Sequence, residues 1–299
     1  MRTAVIFGGN GFIGQHFSQH LLANDVVDKV ILADLAEQEE KCSLTEYVNT
    51  GLLTRERVDV RQKISLNVAN VSLICNFAAV HREPGHEAEE YFETNILGAE
   101  NVCQWASEVG CNTILFTSSI APYGTAELPK KESSLPIPIT PYGSSKLVAE
   151  KSHAIWQAQD KDNRKLIIVR PGVIFGPGEG GNVSRMVKAV KHRYFVYLGN
   201  KNTVKAGIYI KELCSIMQWA ISNNTNEVSL FNATMTPAPT IGQYVDVICE
   251  TAGFKRFIPN IPFFLMLPPP KRSNTFASFG ISFFIFCISP FPKIILVGL

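Results

Sequence analysis

The stretch Thr3-Ala4-Val5-Ile6-Phe7-Gly8-Gly9-Asn10-Gly11-Phe12-Ile13-Gly14 decides the fold. Its first five residues form a short apolar run that predicts a buried strand, and the glycines at 8, 11 and 14 end it abruptly. Across residues 15–24 apolar side chains return at three- and four-residue spacing, which predicts a helix. Strand, glycine turn and helix in that order open a βαβ unit. Gly8, Gly11 and Gly14 suit a tight turn, a close approach of backbone to a pyrophosphate, and close helix-on-sheet packing. The N–H groups at the helix start, at Phe12 and Ile13, then face the anion. Glycine turns often do nothing but turn, but this one has the strand before it and the helix after it that dinucleotide binding requires.

Outward from the loop the alternation continues. Strands are predicted at residues 29–33, 73–77, 113–118 and 166–170, with helices over 95–109 and 141–159 between them. This is the pattern of an α/β protein with a doubly wound parallel sheet. Asp34 ends the second strand, about 20 residues past the loop, where a carboxylate accepts hydrogen bonds from the adenosine ribose. It would repel a 2′-phosphate, and residues 35–40 are acidic with no arginine, so NAD is favoured over NADP. Asp59 and Val60 close the expected third strand; Asp59 suits the adenine amino group, or else serves as a turn or cap.

The composition excludes several classes. With 46% hydrophobic and 18% charged residues the chain is globular, not disordered. A formal charge of +2 with dispersed lysines and arginines argues against nucleic acid. Seven cysteines include no C-x-x-C pair, and Cys75, Cys103, Cys249 and Cys287 stand in apolar runs, so no metal site is expected and a reducing, cytoplasmic setting is. No secretory signal is expected at the N-terminus.

The chemistry-bearing pattern is Tyr142-Gly143-Ser144-Ser145-Lys146, which puts a phenol and an ammonium one helical turn apart. A free phenol ionises near pH 10, too high for a base at neutrality, and a neighbouring Lys⁺ and a nicotinamide cation would both stabilise its anion. Phe116-Thr117-Ser118-Ser119 brings a hydroxyl to the carboxyl edge of the sheet, where open α/β folds bind ligands.

Gly8 to Gly14, Asn76-Phe77-Ala78-Ala79, Asn95, the run from Phe116 to Gly124, Tyr142 to Lys146, and Arg170-Pro171-Gly172 with its continuation to Gly178 resemble, in order, the motifs of the NAD-dependent epimerase/dehydratase family. The resemblance spans residues 1 to about 215 and implies a Rossmann fold with a small interleaved substrate lobe. It implies Ser119 as the hydroxyl on the reacting sugar oxygen, Tyr142 as general base then acid, and Lys146 as the tuner of Tyr142 and holder of the nicotinamide ribose. Ala78, Ala79 and Pro171 would line the cofactor. Asn95 would serve structure or cofactor, or simply cap a helix.

Family dehydratases usually carry Thr-Asp-Glu where this chain has Ser119-Ile120-Ala121, so the acid and base for eliminating water are missing. A 4-epimerase needs less equipment, and is expected; an NAD(P)H-dependent ketosugar reductase and a catalytically silent NAD-binding protein are the alternatives. The segments Ala79-Val80-His81-Arg82 and Gly180-Gly181-Asn182-Val183 resemble the branch that includes epimerases of polyprenyl-diphosphate N-acetylhexosamine in surface-polysaccharide synthesis. His81, Asn182 and Arg185 are thus candidate contacts to a sugar-diphosphate substrate, with Lys188 and Lys191 beside them; the bland alternative for the three cations is a solvated helix face. A homodimer is implied by the resemblance alone.

The expected organisation is an NAD-binding unit at 1–172 and a substrate lobe at 173–299, with residues 204–252, including a strand at 228–232 and a helix at 241–252, returning to the sheet. Tyr209-Ile210-Lys211-Glu212 departs from an aspartate-containing family segment. Residues 273–292 carry no charge and are rich in Phe and Ile. They read as a membrane-surface contact, which would put the protein at the inner face of the membrane, or as a buried or incomplete end of the lobe. Gly280, Pro290, Pro292 and Lys293 argue against a spanning helix.

Overall fold

β1 (Thr3–Phe7) is buried along its whole length, as a central strand covered on both faces must be. The computed structural model describes residues 1–37, 44–82, 85–125, 128–223, 227–253 and 257–261. After β1 come α1 (Phe12–Ala23), β2 (Lys29–Asp34), α2 (Thr45–Asn49), β3 (Leu53–Arg57), β4 (Val71–Asn76), α3 (Ala88–Phe92), α4 (Gly98–Glu108), β5 (Thr113–Thr117), α5 (Pro141–Ala158) and β6 (Lys165–Pro171). The chain continues through β7 (Val173–Phe175), α6 (Asn182–Lys191), β8 (Tyr197–Leu198), β9 (Gly207–Tyr209), α7 (Ile210–Asn223), β10 (Val228–Ala233), α8 (Ile241–Thr251) and β11 (Asn260–Ile261).

Seven strands form one sheet in the order β10-β6-β5-β4-β1-β2-β3, every pair parallel. This is a doubly wound Rossmann sheet, and the strand order reverses between β1 and β4, opening a crevice at their carboxyl ends. The two-residue period of β1 feeds two cores. Ala4 and Ile6 pack with Phe17 and Leu21 of α1 and with Leu213 and Met217 of α7. Val5 and Phe7 pack with Val102 and Trp105 of α4 and with Ala149 and Trp156 of α5. Phe7 meets Trp105 edge to face at 5.4 Å. A third apolar cluster joins Met186 and Val190 of α6 to Tyr197 of β8 and to Ile241 and Val245 of α8.

The strands expected from sequence are present with ends shifted by at most two residues. Two expectations are corrected. The third strand stops at Arg57, with Val58 N–H still on Asp34 O (3.0 Å), because the chain then turns at Asp59, whose carbonyl accepts Gln62 N–H (3.0 Å); Asp59 and Val60 lie beyond the strand. The helix expected from Asn95 begins earlier, as α3, and passes through a π turn over Glu93–Leu97 before α4. Asn95 sits inside that turn, buried, so it caps nothing. Of the cysteines, Cys75, Cys103, Cys111 and Cys214 are buried, while Cys249 is only partly so. Burial pushes the Cys103 thiol up to about 12, which keeps it inert. Cys287, residues 38–40 and the apolar segment 273–299 lie outside the described residues.

Candidate active site

The glycine turn is built by close backbone contacts. Gly8 has φ +72°, and a Cβ there would stand 2.6 Å from Ala78 N; at Gly14 it would stand 2.5 Å from Gly9 O. Gly9, which the sequence reading passed over, is as constrained, with a Cβ position 2.7 Å from Ile6 O and 2.8 Å from Leu32 Cα. Gly11 is the permissive one: its φ is −68°, and a Cβ meets only Gly8 O at 3.1 Å. Gly8 N–H bonds Ala33 O (2.9 Å), tying the turn to β2, and Gln15 N–H starts the helical ladder on Gly11 O (3.1 Å). The N–H groups of Ile13 and Gly14 therefore stand ahead of the ladder at the mouth of α1, the donor set an anion needs.

Asp34 holds this loop. Its Oδ2 accepts Asn10 N–H (2.9 Å) and its Oδ1 accepts Ala36 N–H (3.0 Å). Each carboxylate oxygen has a second lone pair, so ribose hydroxyls can still be accepted there. Asn10 in turn donates to Ala36 O (2.7 Å) and receives Gln15 Nε2–H on its backbone oxygen (2.7 Å). Asp59 is gripped by Arg61 through Nε (2.9 Å) and Nη2 (2.8 Å), and these hydrogen bonds hold its carboxyl below the usual range. Val60 is buried against Gly98, and Asn101 donates to its carbonyl (2.8 Å).

The junction of β5 and α5 gathers the residues expected to carry chemistry. Thr140 caps α5, its Oγ1 accepting Gly143 N–H (3.1 Å), and Pro141 takes the first helical position. Ser119 follows β5 and accepts Ala121 N–H on Oγ (3.1 Å). Gly143 lets that turn approach: a Cβ would lie 2.8 Å from Ala121 O, which brings the Ser119 turn up to the helix start beside Tyr142. Lys146 is buried, donates Nζ–H to Thr117 O (2.9 Å), and lies 4.9 Å over the Phe116 ring. Burial lowers its pKa to about 7, with Glu150 pulling the other way.

Asn95 ties the loop after β4 to this junction. Its Oδ1 accepts Val80 N–H (2.9 Å), and its Nδ2 donates to Val80 O (3.1 Å) and to Ser145 Oγ (2.8 Å). Ser145 Oγ donates to Tyr142 O (2.8 Å). Tyr91 donates to Arg82 O from the far side, and its ring lies 6.1 Å from that of Tyr142. The segment bearing Ala78, Ala79 and His81 is thus clamped to the helix that bears Tyr142. His81 reaches the surface, yet crowding around its ring, with Lys146, Arg82 and His86 nearby, holds it below the usual histidine range. Pro171 ends β6, and its carbonyl accepts Ile120 N–H (3.2 Å).

Under the junction lies a buried polar layer that the sequence reading missed. Glu150, one turn beyond Lys146, accepts Ser118 Oγ–H (2.5 Å) and takes Arg170 bidentately through Nε (2.8 Å) and Nη2 (2.6 Å). Arg170 also stacks on Tyr123 at 4.6 Å, and Tyr123 donates to Asn232 Oδ1 (2.9 Å). His153, fully buried and stacked on Phe116 at 4.3 Å, gives Nδ1–H to Ala149 O (2.7 Å) and takes Asn76 Nδ2–H at Nε2 (3.3 Å). A carbonyl only accepts and an amide NH₂ only donates, so this imidazole is neutral; burial holds it at about 4. The signal was there: Lys146, Glu150, His153 and Gln157 recur at helical spacing and are all buried, while Val148 and Ile155 of the same helix face solvent.

Asn182 and Arg185 stand apart on α6, where Arg185 donates to Asn182 Oδ1. Arg185, Lys188 and Lys191 are exposed. Glu179 already sits at the start of α6, accepting Ser184 N–H (3.0 Å) and Oγ–H (2.6 Å), where an anion would otherwise dock. His16 of α1 contacts Pro177 O at 3.1 Å, so the glycine-rich segment before α6 lies along the helix that leaves the phosphate turn. Tyr209 ends β9 and Ile210 opens α7, so the segment that departs from the family pattern is a strand-to-helix joint. Among the described residues no three His, Cys, Asp or Glu side chains gather to hold a metal ion, and no helix is long and apolar enough to cross a membrane.

A doubly wound sheet with a glycine turn at its switch point and a Tyr-Lys helix beside Ser119 defines an extended dehydrogenase-like enzyme fold. The profile of the NAD dependent epimerase/dehydratase family matches residues 4–233, and the chain belongs to that family. It is 24% identical over 255 residues to the N-acetyl-alpha-D-glucosaminyl-diphospho-ditrans,octacis-undecaprenol 4-epimerase of Escherichia coli O157:H7, covering 85% of this chain and 73% of that protein. Among solved structures it resembles UDP-N-acetylglucosamine 4-epimerase from Methanobrevibacter ruminantium in complex with UDP-N-acetylmuramic acid, with TM-score 0.74, 20% identity, and coverage of 87% and 85% of the two chains. MoeE5 in complex with UDP-glucose and NAD aligns with TM-score 0.72 and 22% identity over 87% of this chain and 85% of its own.

Proposed function

We propose that the chain catalyses NAD-dependent 4-epimerisation of a sugar carried on a diphosphate, either a UDP-sugar or a polyprenyl-diphosphate sugar. The observation that supports this reading is the junction itself: the turn of Ser119 packs through Ala121 on Gly143, next to Tyr142, and Lys146 of the same helix bonds Thr117 O at the end of β5. Ser119 Oγ–H holds the C4 oxygen, and the Tyr142 phenol oxygen takes the proton from that hydroxyl and later returns it. Lys146, held on Thr117 O, supplies the nearby charge that favours the phenolate. Bound NAD supplies the site that accepts a hydride from C4 and gives it back to the opposite face. Asp34 and the turn from Gly8 to Gly14 would hold its adenosine and pyrophosphate, with Asp59, Val60, Ala78, Ala79, Asn95 and Pro171 around it.

His81 is offered to the sugar, and Asn182 and Arg185 to the diphosphate, which would replace Asn182 Oδ1 on the Arg185 guanidinium and lie clear of Glu179 at the helix start. Residues 1–172 serve the cofactor and 173–299 the substrate. The exposed Phe92, Leu97, Val148 and Ile155 on and beside α5 support a homodimer through this helix face.

Incubation with UDP-N-acetylglucosamine and, separately, its polyprenyl-diphosphate counterpart should give the galacto epimer with no net NADH. Stoichiometric consumption of added NADH would instead mark a reductase, and bound NAD with no turnover of either sugar would leave a silent binding protein.

A further inference from the structure

We propose that residues 128–139 form an apolar strap by which the protein rests on an anionic lipid surface, with the mouth of the candidate active site turned toward it. The proposal goes beyond the epimerase reading, and its binding test stands without it. Leu135, Ile137 and Ile139 are 74%, 58% and 57% exposed, and Leu128 is 76% exposed, while Pro136 and Pro138 between them are half-buried. The chain turns at Lys131, whose carbonyl accepts Ser134 N–H (2.9 Å), and over residues 135–139 exposure in every second residue means an extended run that shows its branched side chains to solvent on one face.

The strap is held in place. Glu132 Oε1 accepts Asn232 N–H at the end of β10 (2.7 Å), Ile137 O presses on Gly124, where a Cβ would stand 2.0 Å away, and Thr140 caps α5. It therefore crosses the carboxyl edge of the sheet from β10 to the helix of Tyr142.

Two features select lipid over a protein strand. Alternate residues of an extended chain point their N–H groups to opposite edges. Ile137 O faces the protein, so the outward edge belongs to Pro136 and Pro138, which have no N–H to offer a pairing strand. A lipid surface asks for no hydrogen bonds. Lys130, half-buried, and Lys131, exposed, lie between Leu128 and the apolar run, and the carboxylate next to them, on Glu132, is turned inward onto Asn232 N–H. Basic residues beside exposed Leu and Ile are the pattern of interfacial binding to anionic membranes.

The test sediments the full chain with phosphatidylcholine vesicles, with and without phosphatidylglycerol. Binding is expected only to the anionic vesicles and should weaken with salt. The triple variant Leu135→Ser/Ile137→Ser/Ile139→Ser, checked for an unchanged melting temperature and NAD affinity, should lose at least about tenfold in binding, and Lys130→Ser/Lys131→Ser about fivefold or more per lysine. Absence of wild-type binding would overturn the proposal, as would binding that survives the triple variant, which would locate the contact elsewhere in the chain. So would a triple variant that turns a dimer into a monomer with vesicle binding intact, since a second copy would then be the occupant. Failure to turn over any sugar diphosphate would sink the epimerase reading and leave the vesicle result untouched.

Discussion

Lys146 is an ammonium in an apolar hole, and at about 7 its charge is only half present at neutrality in the cofactor-free chain. Free lysine titrates at 10.5, so between the two values the unfolded chain holds a proton that the folded chain sheds. Stability should therefore rise with pH from 7 toward 10.5, and Lys146→Met should flatten that rise in urea unfolding measured across the range. His153 acts at the other end. Its folded value of about 4 lies below the free 6.5, so stability should be lost as pH falls through that window, by about 3 kcal/mol when complete. In His153→Gln the acid limb should flatten; an unchanged limb would mean that another group carries it. At the phenol, Tyr142→Phe should lower turnover at least about a hundredfold while bound NAD is retained, as loss of a general acid/base does. Titration of binding by fluorescence beside the rate assay separates the two.

Among elements, the glycine turn makes the sharpest forecast, because its glycines are unequal. Gly8→Ala combines a positive φ with a backbone clash and should abolish measurable NAD binding and lower the melting temperature, while Gly11→Ala should do little to the fold. Equal effects at both positions would contradict the geometry. Thr140→Ala should cost about 1 kcal/mol through loss of the α5 cap. The turn was legible in the sequence because strand, glycines and helix are local features, and so was the placing of Ser119 after a strand and of Tyr142 and Lys146 on one helix. The π turn was not: Glu93–Leu97 keeps an ordinary helical composition, and it is the distant Val80 and Ser145 that hold Asn95 inward. Glu150 and His153 escaped because the usual reading puts polar residues of a helix outside, and α5 does the reverse along one stripe. Gly9 was invisible since its constraint is tertiary in part: besides Ile6 O of its own strand, Leu32 of the neighbouring strand crowds it.

For the whole molecule, the pair of Glu150 and Arg170 ties α5 to β6, and Ser118 adds the end of β5. Glu150→Gln leaves a buried guanidinium without its counter-charge and should cost about 3–5 kcal/mol of global stability, which chemical denaturation would measure. The doubly wound sheet and the return of the strand near 228–232 to it followed from the sequence pattern, but which strand it would join did not, because β10 reaches β6 from across the intervening β7 to α7. That late arrival has a consequence for synthesis. β6 is buried from Leu166 to Pro171, yet its outer row of amides stays unpaired until the ribosome has released the chain through Ala233. A nascent or clipped polypeptide ending near Gly172 would carry a bare hydrophobic border ready to recruit a sister molecule, so such fragments should collect in inclusion bodies rather than in solution.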